Sequence, residues 1–380
     1  MNSIRSPNIS VEPISDGFDE VDFPKRKRLI YFSNPLKKKA QELYHNSLQI
    51  IKIRKHPISC IVYDSFFPWA LEVAKKHGIY GAKFSLPAKI KENEPLLLPG
   101  VPCLYPLDVP GFIRKPESYP AYLAMKMSQF SNVEKADWVF DNSFQELEGK
   151  IARGVSEFWP ARLIGPIVPS SYLDGRIESD KGYGASLWES LSKECLNWLT
   201  TKASQSVIYI SFGSLVSLTS KQMEEMAYAL IGSNMNFLWV VRDTEKCKLP
   251  KILIKSTKGE GLIVSWCNQL ETLPNQAIGC FVTHCGWNPT LKGMNLGVPM
   301  VAMPQWPDQM TNAKFIDEIW KIGVRPKLDE LLGFVKRLII FFEIRKNATK
   351  WKDLAKKAVS EGGSSDKSIN EFIDSLNLVY

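Results

Sequence analysis

Residues 281 to 293 read FVTHCGWNPTLKG. A β-branched apolar run ends at His284, Gly286 permits a tight turn, and a helix-forming stretch follows. A helix start bares unpaired N–H groups and the positive end of the helix dipole, so this layout suits an anion, phosphate above all. His284 and Asn288 add polar side chains, and Trp287 lies between them. Two residues run against that chemistry: Pro289 has no N–H, and Lys292 cannot accept a hydrogen bond. Three other stretches end apolar runs with suitable groups: Gly213-Ser214, Trp266 with Cys267 and Gln269, and Asp308-Gln309. Each alone has an ordinary structural reading, as a turn, a core tryptophan or a satisfied polar residue. Cys267, Cys280, His284 and Cys285 form a zinc candidate, but the spacing lacks paired CxxC elements, and no metal is expected.

The elements that must position these residues alternate between strand and helix. SVIYISFGS (206–214), NFLWVV, GLIVSW, GCFVTH and VPMVAM read as buried strands separated by helices. Thr219 and Gln222 have capping-box spacing, before a helix with Met223, Met226, Ala227 and Leu230 on one face. Such alternation means a parallel sheet covered on both faces. Further upstream, CIVYD (60–64) and ADWVFDNSF (136–144) are strand candidates, the first followed by a helix from Pro68 to Gly78. Residues 165–190 are rich in Gly, Pro and Ser and lack periodicity. The fold class is therefore α/β, with two doubly wound domains in tandem. In open sheets of this class ligands sit at the carboxyl ends of strands, where all four candidate stretches fall.

Composition narrows the class. The 380 residues are 44% hydrophobic and 23% charged, as in an ordinary globular protein. No apolar run reaches membrane-span length, and the N-terminus lacks a signal-like apolar core, so a cytoplasmic protein is expected. Seven scattered cysteines fit reduced thiols better than a disulfide framework. The net charge of +8 arises partly from KRKR (25–28) and KKK (37–39). These read as a solvated basic face, since no nucleic-acid motif or aromatic platform accompanies them. A GxGxxG dinucleotide loop after a strand is absent.

Together the stretch WCNQLETLPNQAIGCFVTHCGWNPTLKGMNLGVPMVAMPQWPDQ, 266 to 309, resembles the signature box of the plant secondary-product UDP-glycosyltransferases. The similarity extends over CIVYDSFFPWALEVA, SYPAYLAMKMSQFSNVEKADWVFDNSFQELE, VIYISFGS and KWKDLAKKAVSEGGSSDKSINEFI, nearly the whole chain. The resemblance implies the GT-B fold, two Rossmann-like domains with the first one incomplete here. The expected division is 1–170 for the acceptor-side domain, 171–190 for the linker, 191–364 for the UDP-sugar domain and 365–380 for a helix returning to the first domain. It also implies roles. Trp266 stacks on uracil, with the Cys267 backbone and Gln269 near base and ribose. Ser214, His284 and Asn288 hold the phosphates, with Gly213 and Gly286 giving backbone access. Asp308 and Gln309 bind sugar hydroxyls, Gln309 going with glucose. UDP-glucose is then the donor substrate and there is no cofactor. The partner is a small acceptor with a hydroxyl or carboxyl, and the enzyme is a monomer without nucleic acid.

Three of the chain's departures from the family pattern bear on the chemistry. Where the family has a phosphate-binding Ser, this chain has Pro289. Where the family has a Glu that accepts from the ribose diol, it has Lys292. Losing two charge-assisted hydrogen bonds, each worth roughly 1.5–3 kcal/mol, weakens donor binding by about a hundredfold or more. The chain also begins near the family's ISDGFDE region, so a first βαβ unit carrying the general-base His is expected to be missing. Asp64 matches the Asp that orients that His and is left as its orphan partner. His45, His56 and His77 are poor substitutes by position. Two readings remain open: a glucosyltransferase impaired by the missing His, or a non-catalytic remnant that binds nucleotide or a protein partner.

Overall fold

VIYIS is apolar at nearly every position because it is covered from both sides, and all five residues are buried in the computed structural model. The structure describes residues 95–377 except 99, 119, 131–132, 134, 157–160, 182–189, 257–258 and 327–341. The expected strand 60–64, the helix from Pro68, Asp64, the basic runs, His45, His56 and His77 lie outside the described residues.

Eight strands are described: β1 (Val139–Asp141), β2 (Ala161–Leu163), β3 (Val207–Ser211), β4 (Asn236–Val240), β5 (Gly261–Val264), β6 (Ile278–Thr283), β7 (Met300–Ala302) and β8 (Gly323–Val324). β1 and β2 pair in parallel, with Phe140 opposite Arg162. The other six form one parallel sheet in the order β5-β4-β3-β6-β7-β8. Renumbered within that sheet, the order is 3-2-1-4-5-6, and the direction of winding reverses between β3 and β6. Ile208 sits opposite Phe237 on one side and Cys280 on the other.

The side-chain period of two divides β3 between two cores. Val207 and Tyr209 join Leu238, Phe281 and Met300 on one face. Ile208 and Ile210 join Phe237, Trp239 and Val282 on the other. Besides two short helices at Gly111–Arg114 and Lys251–Ser256, the described α-helices are α1 (Pro120–Ser128), α2 (Gln145–Val155), α3 (Ser192–Leu199), α4 (Ser220–Ser233), α5 (Gln269–Thr272), α6 (Trp287–Asn295), α7 (Pro307–Lys314), α8 (Phe342–Val359) and α9 (Ser364–Asn377). α4 opens with the expected capping box: Thr219 accepts from the Gln222 N–H, and Gln222 accepts from the Thr219 N–H. It buries Met223, Met226, Ala227 and Leu230 on the second core. α6 and α8 cover the first core with Met294, Ala348, Ala355 and Ala358.

α9 runs back to the small sheet. Phe372 packs edge-on against Phe140 and Trp138, at centroid distances of 4.9 and 5.5 Å. Its first turn is anchored where the Ser365 hydroxyl donates to the Gly165 carbonyl. A second junction is ionic. Asp108, upstream of α1, accepts from Arg325 Nη1 at 2.8 Å and pairs with Lys314 Nζ at 3.1 Å. The sequence reading did not identify β2, the two-residue β8, α1, α2, α3 or α8.

Candidate functional site

All strands of the large sheet point one way, so their carboxyl ends form a single edge. The loop after β3 carries Gly213 and Ser214, and the loop after β5 carries Trp266 and Cys267 and leads to Gln269 at the start of α5. The loop after β6 carries His284 to Gly286 and leads to Trp287 and Asn288 at the start of α6, and the loop after β7 leads to Asp308 and Gln309. The structure thus brings the four expected stretches of this domain to one rim. The gap between β3 and β6, where winding reverses, lies at its centre.

His284 fills that gap. A Cβ on Gly213 would lie 2.8 Å from its Cε1, and one on Gly286 would lie 2.7 Å from its Nε2. The two glycines are therefore required by the imidazole between them, and Gly213 also needs its φ of +70°. Burial drives the His284 pKa down to about 4; the Arg242 charge adds to this and the nearby Ser211 carbonyl opposes it. The ring is neutral at physiological pH, and Nδ1 makes no hydrogen bond of normal geometry. Cys285 follows in left-handed backbone, φ 63°, which turns the chain sharply into α6. Thr283 Oγ1 accepts its N–H, and its carbonyl accepts from Asn312 Nδ2.

Gly286 is the N-cap of α6, and the first intrahelical bond runs from the Thr290 N–H to its carbonyl. The N–H groups of Gly286, Trp287 and Asn288 have no partner within the helix, and Pro289 contributes none. The Trp287 indole turns away from this edge: Nε1 donates to the Asn142 carbonyl at 2.8 Å, tying the end of β1 to the helix start. Asn288 and Ser214 are exposed at the rim.

Polar contacts across the rim are specific. Gln269 Nε2 donates to Ser211 Oγ at 3.3 Å, and Lys292 Nζ donates to Gln269 Oε1 at 3.3 Å. Burial lowers the Lys292 pKa to about 8. Gln309 Oε1 accepts the backbone N–H groups of Gln305 and Trp306, at 2.9 and 2.8 Å. The buried glutamine therefore fixes the loop before α7 as well as standing at the rim. Asp308 is exposed, yet the protein mass around it raises its pKa above the usual carboxylate value.

Cys267 contributes backbone to the rim, while its thiol is buried against Tyr209 and Thr272. Hydrogen bonding from Cys195, helped by Thr272 and Tyr209, lowers its pKa against the effect of burial. The zinc candidate does not converge: Cys280 faces one core, and Cys267 and Cys285 face the other.

Two features escaped the sequence reading. Arg242, just past β4, donates to the carbonyls of Gly213 and Val216 at 3.4 and 2.6 Å and so braces the Gly213 loop. A charged residue directly after an apolar strand, WVVR, was the available signal. Next to Trp306 lies a cavity of about 310 Å³ lined by Phe112, Arg114, Tyr122, Trp306, Met310 and Arg325, among others. Tyr122 stands edge-on to both Phe112 and Trp306. Arg114 Nε is buried there without a hydrogen-bond partner.

Residues 155–329 match the family model described as UDP-glucoronosyl and UDP-glucosyl transferase. The chain is 45% identical to UDP-glycosyltransferase 74B1 of Arabidopsis thaliana, covering 99% of this chain and 89% of that protein. It is 41% identical to the flavonol 7-O-beta-glucosyltransferase UGT74F1 of the same plant, covering 98% and 88%. Among solved structures it resembles Os79 from O. sativa in complex with UDP, with a TM-score of 0.85 and 34% identity over 96% of this chain and 88% of that one. The fold is GT-B, as the resemblance implied. The chain belongs to the plant UDP-glycosyltransferases, enzymes that move glucose from a UDP-sugar to a small-molecule acceptor.

Proposed function

We propose that the crevice between the ends of β3 and β6 binds UDP-glucose and that an acceptor occupies the cavity beside Trp306. The observation that carries this reading is the convergence of four separate loops on the winding-reversal point of one parallel sheet. Trp266 stacks on the uracil, with Gln269 and the Cys267 backbone beside the base and ribose. The start of α6, Ser214 and neutral His284 take the diphosphate, where donors and the helix dipole suit an anion. Asp308 and the amide nitrogen of Gln309 meet the sugar hydroxyls. The Trp287 side chain belongs to the junction with the β1 end, and only the backbone N–H of this residue faces the phosphates.

In the transfer, the acceptor oxygen forms a bond to the anomeric carbon as the bond to the β-phosphate oxygen breaks, UDP leaves, and the acceptor's proton is released to solvent. The negative charge that builds on the leaving diphosphate falls at the helix start. The acceptor is a small aromatic or polycyclic molecule, given a cavity of about 310 Å³ walled by Phe112, Tyr122 and Trp306. Asp64 is carried over by resemblance alone, as the residue that matches the partner of the family's general-base His. The domain division at 171–190, a monomeric cytoplasmic state without nucleic acid, and the absence of a cofactor or metal complete this reading. Among the described residues no helix is long and apolar enough to cross a membrane.

The test is transfer of labelled glucose from UDP-glucose to a panel of phenols and carboxylic acids. Transfer that falls in Trp266→Ala and Asp308→Asn supports the reading. UDP-glucose binding without transfer to any acceptor favours the non-catalytic alternative, and no binding overturns the donor site.

A further inference from the structure

We propose that Lys292 supplies the anion contact that Pro289 withholds, its ammonium resting on the diphosphate of the bound nucleotide. This rests on the donor-site reading above. Pro289 stands in the first turn of α6 and removes one of the N–H groups that a helix start offers an anion. Lys292 follows three residues later and four after Asn288, so all three share one face. The rise from 289 to 292 is about 4.5 Å, and Cβ bonds tilt toward the helix N-terminus, so a lysine can reach back to the first turn. Its Nζ is found on that side of the helix, 3.3 Å from Gln269 Oε1, and Gln269 is in turn held by Ser211 at the end of β3. The amine thus sits between the base end of the crevice, marked by Trp266 and Gln269, and the phosphate end, marked by Gly286 to Asn288.

Neither His284 nor Arg242, the two basic groups beside the Gly213 loop, supplies this charge. His284 is neutral, with its pKa near 4. Arg242 is committed to two loop carbonyls and to Glu245. Lys292 is half-buried, and a desolvated amine forms a strong charge-assisted contact with a diphosphate. Burial leaves most of the amine protonated at neutral pH, with a pKa of about 8.

The experiment titrates the full chain and its Lys292→Met and Lys292→Arg variants with UDP and, separately, with uridine, by calorimetry. The expected result is that Lys292→Met weakens UDP by about ten- to a hundredfold while uridine affinity holds. Lys292→Arg keeps most of the UDP affinity. Adding Pro289→Ala to Lys292→Met restores part of the loss, because the backbone N–H returns. Equal losses for UDP and uridine would place Lys292 at the base through Gln269 and overturn the proposal, as would an unchanged UDP affinity. A wild-type chain that binds neither ligand removes the donor site itself.

Discussion

Replacing Asp108 with Asn isolates the buried ionic junction between the segment before α1 and the second domain. The carboxylate side chain is 9% exposed and faces Lys314 at 4% and Arg325 at 25%. Burial alone would raise its pKa, but hydrogen bonds from Arg325, Lys314 and the Tyr105 N–H outweigh that and hold it below the ordinary value. Removing one partner of a buried pair costs about 3–5 kcal/mol, because the other charge stays desolvated. Lys314 keeps Glu318 at 2.8 Å, and Arg325 is partly solvated, so the low end applies. A loss of about 3 kcal/mol lowers the melting temperature by about 6–12 °C for a domain of this size. The sign of the pH dependence follows from the depressed carboxylate. Its contribution is complete above the unfolded pKa of about 3.9 and is lost as pH falls through the lower folded value. Thermal melts of wild type and Asp108→Asn should therefore differ by a constant amount from about pH 5 to 8 and converge in acid. Equal melting temperatures at neutral pH, or a gap that widens in acid, would refute the reasoning.

Two further substitutions probe the donor rim and the sheet behind it. Gly286→Ala puts a methyl 2.7 Å from His284 Nε2, and the ring cannot swing away without approaching Gly213. Overpacking of this kind costs about 1–3 kcal/mol, so UDP affinity measured by calorimetry should fall by about tenfold or more. Thr219→Ala removes the N-cap of α4. About 1 kcal/mol is lost, visible as a drop of about 2–4 °C in the melting temperature.

The large sheet was legible because its strands are buried on both faces and so stand out as apolar runs. The period and cap of α4 were legible because Thr219, Gln222 and the four core residues lie within one helix. The rim residues could be grouped because each ends such a run. β8 was not legible, since two residues carry no period and Gly323 and Val324 become a strand only by pairing with β7. Arg242 was missed because its purpose depends on a loop that β3 brings alongside β4. The cavity beside Trp306 draws walls from residues near 110, 122, 306 and 325, a meeting that no local pattern encodes. The link from Lys292 to Gln269 is of the same kind: 23 residues apart in sequence, joined only when β6 and α6 fold back beside α5.

The most direct test of the donor crevice is the melting temperature of the purified chain with and without excess UDP, repeated for Trp266→Ala. A ligand at a hundred times its Kd stabilises the native state by about 2.7 kcal/mol. The account predicts a rise of several degrees in the wild type and a smaller one in the variant. A cooperative transition that UDP leaves unmoved would contradict it.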